Sequence, residues 1–294
     1  MATRDKPSNL TDLFQPDQDA DGIGRDVAVG RELDRRTITE ASFPAAVNLE
    51  GQPKVVMAIG AGNTGKTTFL RYIAEKAVEQ EANLVFAAVD PENRELADYF
   101  AGVQQPPSYD PVAVSKWVEQ FLGWVMKHRR SAVIDFGGGD TSLTRLISEV
   151  PDIAEMMQGA GVHPVAIYLL SPRLGDLSAL GTLEAAGFKP KATAIIRNEG
   201  VADPTLPRER SFARTMRHPT YEAALARGAV PLWMPRLHAA REVEDRRITF
   251  AQAREGRMPE GRQGVPMNPF DGGRVRVWLE QMAAELAPVR SWLL

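Results

Sequence analysis

Cysteine is absent from this 294-residue chain, and no lysine occurs after Lys191. The lack of cysteine excludes disulfide bonds and thiolate metal sites, and it is typical of a protein from a reducing compartment. No stretch reaches the roughly 18–20 consecutive apolar residues of a membrane-spanning helix. The N-terminus "MATRDKPSNLTDLFQPDQDADG" is polar and unlike a signal peptide. These absences predict a cytoplasmic protein.

Hydrophobic residues make up 44% of the chain, which is enough for a substantial core. Residues 1–50 lack sustained periodicity and are rich in Asp, Pro and Gly, so we predict a disordered N-terminal tail there. Residues 51–294 carry the periodic patterns and predict a single folded domain.

Six short apolar runs alternate with amphipathic helical patterns after Pro53. Continuous apolar runs are typical of strands buried on both faces. The alternation predicts an α/β fold, a three-layer, doubly wound and mostly parallel sheet. The runs are 54–60, 83–90, 131–137, 163–171, 192–197 and 229–235, and the clearest helical patterns are 66–80, 110–128 and 274–294.

The segment "GAGNTGKTTF" follows the first run and fills the pattern G-x-x-x-x-G-K-S/T. In such a loop, backbone N–H groups surround a polyphosphate, Lys66 reaches the β- and γ-phosphate oxygens, and the Thr67 hydroxyl binds Mg²⁺. Its place between a buried strand and a helix is where parallel sheets bind ligands. The predicted phosphate-binding residues are Gly60, Ala61, Gly62, Asn63, Thr64, Gly65, Lys66, Thr67 and Thr68.

Two of the predicted strands end in an aspartate that suits the same chemistry. Asp135, in "SAVIDFGGGD", is a candidate for holding Mg²⁺ through a water molecule, and a helix cap or turn is its structural alternative. Asp90, in "AAVDPEN", can orient or deprotonate an attacking water, and a turn-starting Asp-Pro is its alternative. The predicted catalytic residues are therefore Lys66, Asp90 and Asp135.

Together these motifs resemble those of the ParA/MinD-type P-loop ATPases, the deviant-Walker members of the SIMIBI class. That family partitions plasmids, positions division sites or assists conjugation. The resemblance covers roughly residues 54–290 and rests on the loop, on "DPEN" and on the run that starts at Asp135. It implies ATP and Mg²⁺ as ligands, with Asn198 contacting the adenine and Pro235 lying against the base.

One departure from the family concerns its signature lysine, which reaches the partner's ATP in a sandwich dimer. Ala61 stands at that position, so an ATP-dependent homodimer is implied by the resemblance, whereas hydrolysis through that lysine is not. GTPases of related architecture carry N/T-K-x-D after the fifth strand, and "RNEG" at this place favours ATP over GTP. We expect a weak or partner-stimulated Mg-dependent ATP hydrolase that acts as a switch in DNA partition, conjugative transfer or cellular positioning.

Several alternatives stay open at this point. A small-molecule kinase or an ATP-dependent ligase would use residues 207–217 as an arginine-bearing lid, and a scaffold would keep the loop as a vestige. An unidentified protein partner is expected to sense the switch. The C-terminal helix fits packing on the sheet better than a membrane surface. The candidates for non-specific DNA contact, for which solvated surface is the alternative, are Arg208, Arg210, Arg214, Arg217, Arg246 and Arg247.

Overall fold

The computed structural model describes residues 47–89, 96, 99–100, 102–137, 140–259, 261 and 264–294. Residues 1–46 of the predicted tail lie outside the described residues, and so does Asp90. The predictions made for them therefore stay predictions.

Six parallel strands form one sheet, and each strand matches one of the predicted apolar runs to within two residues. In space their order is β2-β3-β1-β4-β5-β6, so β1 lies between β3 and β4. This arrangement confirms the predicted α/β fold. The strands are β1 Lys54–Ile59, β2 Leu84–Ala88, β3 Ser131–Asp135, β4 His163–Leu170, β5 Ala192–Asn198 and β6 Val230–Met234.

A separate hydrophobic core lies on each face of the sheet, because successive residues of a strand point to opposite faces. Val55 and Met57 of β1 belong to one core, and Val56 and Ala58 belong to the other. Helices cover both cores, and none of them in the described part of the chain is long and apolar enough to cross a bilayer.

The helices in the described part of the chain are α1 Lys66–Glu79, α2 Pro111–His128, α3 Ser142–Glu149, α4 Ile153–Gly159, α5 Leu177–Ala185, α6 Arg208–Ser211, α7 Ala213–Met216, α8 Pro219–Ala226, α9 Ala240–Arg246, α10 Phe250–Glu255, α11 Pro269–Glu285 and α12 Arg290–Leu293. Short 3₁₀ turns add Leu174–Asp176, Glu199–Val201 and Ala287–Val289.

The prediction of one continuous helix over 274–294 was wrong in its bounds. α11 begins at Pro269, because the Asn268 side chain accepts a hydrogen bond from the Phe270 N–H at 2.9 Å and proline fits the first turn of a helix. The helix ends at Glu285, and the turn Ala287–Val289 separates it from α12. This turn contains a proline, which lacks the N–H that a continuous helix needs.

The packing of this C-terminal region on the sheet agrees with the prediction. Val275, Met282 and Trp292 are buried in the core that also contains α1. Val277 is 46% exposed, whereas the neighbouring Trp278 is buried. The buried face of α11 therefore includes residue 278 and not residue 277.

Residues 47 and 54 are hydrogen-bonded to α12. Trp292 Nε1 donates a hydrogen bond to the backbone O of Val47 at 2.6 Å. Lys54, the first residue of β1, is buried, and its Nζ donates to the backbone O of Ser291 at 2.8 Å. Leu49 is also buried and belongs to the core, although it lies in the range predicted as a tail.

Glu75 ties α1 to α10. Its carboxylate oxygens accept hydrogen bonds from the backbone N–H groups of Phe250, at 2.8 Å, and Ala251, at 3.0 Å. Burial raises the pKa of Glu75, while the two N–H donors and the nearby Arg71 oppose that shift. The buried carboxylate thus accepts hydrogen bonds from N–H groups at the start of α10, which have no acceptor within the helix itself.

We expect Glu75→Ala to lower the free energy of unfolding by about 3 kcal/mol, because two N–H groups at a buried helix start lose a charged acceptor. Urea unfolding followed by circular dichroism measures this change. The matched control is Glu79→Ala on the same helix, whose carboxylate is exposed and pairs with Lys76. The control is expected to change stability by less than about 0.5 kcal/mol, and equal losses in both variants would contradict the role of Glu75.

Candidate nucleotide-binding site

The loop between β1 and α1 has a path that requires glycine at two positions. A Cβ at Gly60 would lie 2.6 Å from the backbone O of Leu169, the strand residue beside it. Gly65 has a φ of +92°, and a Cβ there would lie 2.2 Å from Asn198 Nδ2. A Cβ at Gly62 would meet nothing within 4 Å. The loop is therefore packed tightly at its two ends and open at its tip, where a ligand can approach its backbone.

Lys66 places its ammonium group inside this loop. The side chain is buried, and Nζ donates hydrogen bonds to the backbone O of Gly60 at 2.9 Å and of Ala61 at 3.1 Å. Lys66 is also the first residue of α1, and the N-cap residue, Gly65, has no side chain that could bond to the N–H groups of the first turn. A cation and the N–H groups of a helix N-terminus thus lie at the same loop, as polyphosphate binding requires.

Asp135 ends β3 directly beside the strand that carries the loop. Its register partner on β1 is Ala58, and its backbone O accepts a hydrogen bond from the Val89 N–H at 2.9 Å. The residue is buried at 7% exposure. Its place at the carboxyl edge, one strand away from Thr67, suits the predicted role of holding Mg²⁺ through water.

Asn198 fastens the end of β5 to the loop. Its side chain is buried, and Nδ2 donates a hydrogen bond to the backbone O of Thr64 at 2.9 Å. Its Oδ1 accepts a hydrogen bond from the Gly200 N–H at 2.7 Å. The described contacts of this amide are therefore with backbone groups, and the contact with adenine stays a prediction.

A cavity of about 890 Å³ adjoins the loop on the side of β5 and β6. It brings together several of the predicted site residues, namely Gly62, Asn63, Gly65, Lys66, Thr67, Thr68, Asn198 and Pro235. Pro235 follows β6, and its backbone O accepts a hydrogen bond from Trp278 Nε1 at 2.9 Å. The volume is in the range of small-molecule sites, roughly 300–1,000 Å³. A nucleoside attached to phosphates in the loop would enter this space.

The sequence interpretation missed two arginines that line the same cavity. Arg71 lies one helical turn after Thr67, and its guanidinium carbon is 3.7 Å from the centroid of the Tyr99 ring. Arg236 donates from Nη1 to the backbone O of Gly200 at 3.1 Å. The spacing of four residues within α1 was a usable signal for Arg71. The position of Arg236 next to Pro235 was the corresponding signal for that residue.

A second, smaller cleft of about 100 Å³ lies beside the start of the loop. Gly60 and Ala61 line it together with Gly137, which follows β3, and with Asp140 and Asp176. The cleft therefore meets the loop from the β3 side, whereas the large cavity meets it from the side of β5 and β6. Gly60 and Ala61 line the small cleft, and Gly62 lines the large cavity, so neighbouring loop residues are open to different sides.

The arginines proposed for DNA contact differ in their surroundings. Arg208 pairs with Glu199, Glu209 and Glu285, and these carboxylates raise the pKa of its guanidinium although burial alone would lower it. Arg246 pairs with Glu242. Arg210, Arg214 and Arg217 are exposed.

Residues 207–217, predicted as a lid in the kinase alternative, are anchored to the body of the fold. Phe212 and Thr215 within this segment are fully buried. Phe212 packs edge-on against Trp233 of β6, with the ring centroids 5.3 Å apart.

Comparison with known proteins gives a likeness in structure alone. No protein-family model matches the sequence, and no curated protein matches it. Cell division protein FtsY of Thermotoga maritima is 15% identical, with 81% of this chain and 72% of that chain covered at a TM-score of 0.43. Chloroplast FtsY of Physcomitrella patens is 14% identical, with 64% and 60% covered at a TM-score of 0.40. The signal recognition particle receptor FtsY of Elizabethkingia anophelis is 16% identical, with 81% and 68% covered at a TM-score of 0.36.

These TM-scores are low, so the class of this chain follows from its own geometry and not from the likeness. A parallel sheet is covered by helices on both faces, and a G-x-x-x-x-G-K-T loop joins β1 to α1. That combination defines the P-loop NTPase fold.

Proposed function

We propose that this chain is a Mg²⁺-dependent ATP hydrolase of the SIMIBI class and that it works as a ParA/MinD-like nucleotide-dependent switch. The observation that supports this proposal is the position of Lys66. Its buried ammonium lies across a glycine loop, and the loop opens onto a cavity of about 890 Å³. A triphosphate bound along the loop would bring its anionic oxygens to this ammonium.

Each site residue has a role in this proposal. Lys66 and the start of α1 hold the phosphates, and Thr67 and Asp135 hold Mg²⁺, Asp135 through water. Bound Mg²⁺ would neutralise charge on the phosphate oxygens. Asp90 orients the attacking water. These assignments need little reorganisation of the described residues, because the loop, α1 and the end of β3 already lie at one edge of the sheet.

ATP is the proposed nucleotide. The turn after β5 carries Asn198 followed by Glu199 and Gly200, so it lacks the lysine and aspartate of the guanine-specific pattern. In the proposal, the Asn198 amide contacts adenine after exchanging one of its backbone partners, and Pro235 covers the face of the base. The cavity beside both residues has room for the base and the ribose.

The proposed biological role is DNA or plasmid partition, conjugative transfer or cellular positioning. ATP would order the segments that follow β2 and β3, and hydrolysis would release them. The proposed partners are a second copy of the chain, a protein that senses the switch, and non-specific DNA. The exposed arginines Arg210, Arg214 and Arg217 are the best candidates for DNA contact.

Calorimetric titration of the folded protein with Mg·ATP tests the proposed function. We expect saturable binding at one site per chain, weaker binding of GTP than of ATP, and slow conversion of ATP to ADP and free phosphate. Light scattering with ATP, with ADP and without nucleotide, each with and without DNA, tests the proposed partners.

Absence of heat and of saturation at millimolar Mg·ATP would overturn the proposal. Transfer of phosphate to an added acceptor, with no free phosphate released, would indicate a kinase in its place. Tighter binding of GTP than of ATP would overturn the nucleotide assignment and leave the hydrolase assignment standing.

A further inference from the structure

Arg173 reaches the phosphate loop from the segment that follows β4. Its Nη2 donates a hydrogen bond to the backbone O of Gly62 at 3.2 Å, although 111 residues separate the two in sequence. Gly62 is the neighbour of Ala61, the position where the ParA/MinD family carries its signature lysine. The Arg173 guanidinium therefore lies next to the loop position at which this chain has alanine and the family has lysine.

The side chains of Lys66 and Arg173 donate hydrogen bonds to neighbouring carbonyl groups of the loop. Lys66 Nζ is 3.1 Å from the backbone O of Ala61, and Arg173 Nη2 is 3.2 Å from the backbone O of Gly62. Because the P-loop lysine reaches the β- and γ-phosphate oxygens, the part of the loop around Ala61 lies next to the terminal phosphate. An anion at this place would meet both cations.

The Nε atom of Arg173 is held by polar contacts, whereas much of the side chain is exposed. Nε lies 3.2 Å from Ser171 Oγ and 3.8 Å from Asp176 Oδ1. Asp176 is itself buried, and it accepts hydrogen bonds from the Ser171 N–H at 2.8 Å and from Ser171 Oγ at 2.5 Å. The Arg173 side chain remains 63% exposed. The guanidinium is thus aimed at the loop by a buried carboxylate and is open to a ligand on its other side.

We propose that Arg173 contacts the terminal phosphate of ATP and supplies, within the same chain, the positive charge that the signature lysine supplies in the ParA/MinD family. This inference rests on the proposed function. Arg173 exchanges the weak neutral acceptor at Gly62 for phosphate oxygens, and a planar guanidinium matches such oxygens in a two-pronged contact.

The reaction served by this contact is the hydrolysis of the terminal phosphoanhydride. A bond forms between the oxygen of a water molecule and the γ-phosphorus, and the bond between that phosphorus and the β,γ-bridging oxygen breaks. The electron pair of the broken bond stays on ADP, and the proton lost by water goes to solvent. Arg173 stabilises negative charge on the γ-phosphate oxygens in the transition state, where preorganised cations have their largest effect.

Affinity for two nucleotides tests the contact without relying on turnover. We expect Arg173→Ala to weaken the binding of a non-hydrolysable ATP analogue with Mg²⁺ by about 10-fold. Binding of Mg·ADP, which lacks the terminal phosphate, is expected to stay within about twofold of the parent value. We expect hydrolysis of ATP to slow on the order of 100-fold, and Arg173→Lys to recover part of both losses.

Arg274→Ala is the matched control. Arg274 pairs with Asp271 on α11 and has an exposed side chain, so its removal is expected to leave both affinities and the rate unchanged. A thermal unfolding curve checks that each variant is folded. An Arg173→Ala protein with the parent's ratio of ATP-analogue to ADP affinity would overturn the inference and leave the proposed function intact. Failure of the parent protein to bind Mg·ATP would overturn both.

Mixing two variants tests whether the arginine acts within its own chain. The Lys66→Ala chain retains Arg173 but lacks the lysine of the phosphate loop. The Arg173→Ala chain retains that lysine but lacks the arginine. If Arg173 acts within its own chain, the mixture hydrolyses ATP no faster than the sum of its components. Recovery of activity on mixing would show an arginine acting across a dimer and would overturn the assignment to the same chain.

Discussion

Lys66→Ala is expected to weaken the binding of Mg·ATP by at least about 100-fold and to reduce hydrolysis below detection. A charge-assisted hydrogen bond contributes roughly 1.5–3 kcal/mol, and each 1.4 kcal/mol is a tenfold change in Kd. Because the lysine reaches oxygens of two phosphates, more than one such bond is lost. Calorimetric titration measures the affinity, and release of free phosphate measures the rate.

The fold itself is expected to survive this change, because the ammonium contacts the loop carbonyls of Gly60 and Ala61 and not the hydrophobic cores. The matched control is Lys76→Ala on the same helix, where the ammonium pairs with Glu79. We expect the control to bind Mg·ATP as the parent does. Hydrolysis by Lys66→Ala at the parent rate would refute the assignment of the loop.

Asp135→Asn is expected to slow ATP hydrolysis on the order of 100- to 1,000-fold and to raise the Mg²⁺ concentration needed for half-maximal rate. Asparagine keeps the shape of the side chain at the end of β3 but removes the charge that attracts the metal. The rate as a function of Mg²⁺ concentration measures the effect, and binding of ATP without Mg²⁺ is expected to change little.

The control for this prediction is Asp152→Asn, which alters an exposed aspartate at the start of α4. Its rate and its Mg²⁺ requirement are expected to match those of the parent. If Asp135→Asn has the same Mg²⁺ requirement as the parent, Asp135 is a residue of the strand end and not of the metal site.

Much of the fold follows from local patterns in the sequence. The six strands were predicted because buried parallel strands are continuous apolar runs, and β1 and β4 match theirs to within one residue. The start of α11 was missed because the prediction followed apolar spacing and ignored the capping pair Asn268 and Pro269. The break after Glu285 was missed although Pro288 marks it.

The site was predictable where it is contiguous in sequence and was not predictable where the sheet brings distant segments together. The loop and Asp135 each lie in a short motif that ends a strand. Arg173 could not be found in this way, because its contact with Gly62 depends on β4 lying directly beside β1. Asn198 was named from the family resemblance, but its hydrogen bond to Thr64, which joins residues 134 positions apart, could not be predicted for the same reason.

The fastening of Trp292 to Val47 has a practical consequence for labelling. The hydrogen bond of Lys54 to Ser291 places α12 at the amino end of β1, whereas Gly60 follows the carboxyl end of that strand. β1 has six residues, so the two ends of this strand are about 20 Å apart at 3.3 Å per residue. A fluorophore attached at Leu294, whose backbone O accepts a hydrogen bond from Lys54 Nζ at 2.6 Å, would therefore lie at the amino end of β1, about 20 Å from the phosphate loop.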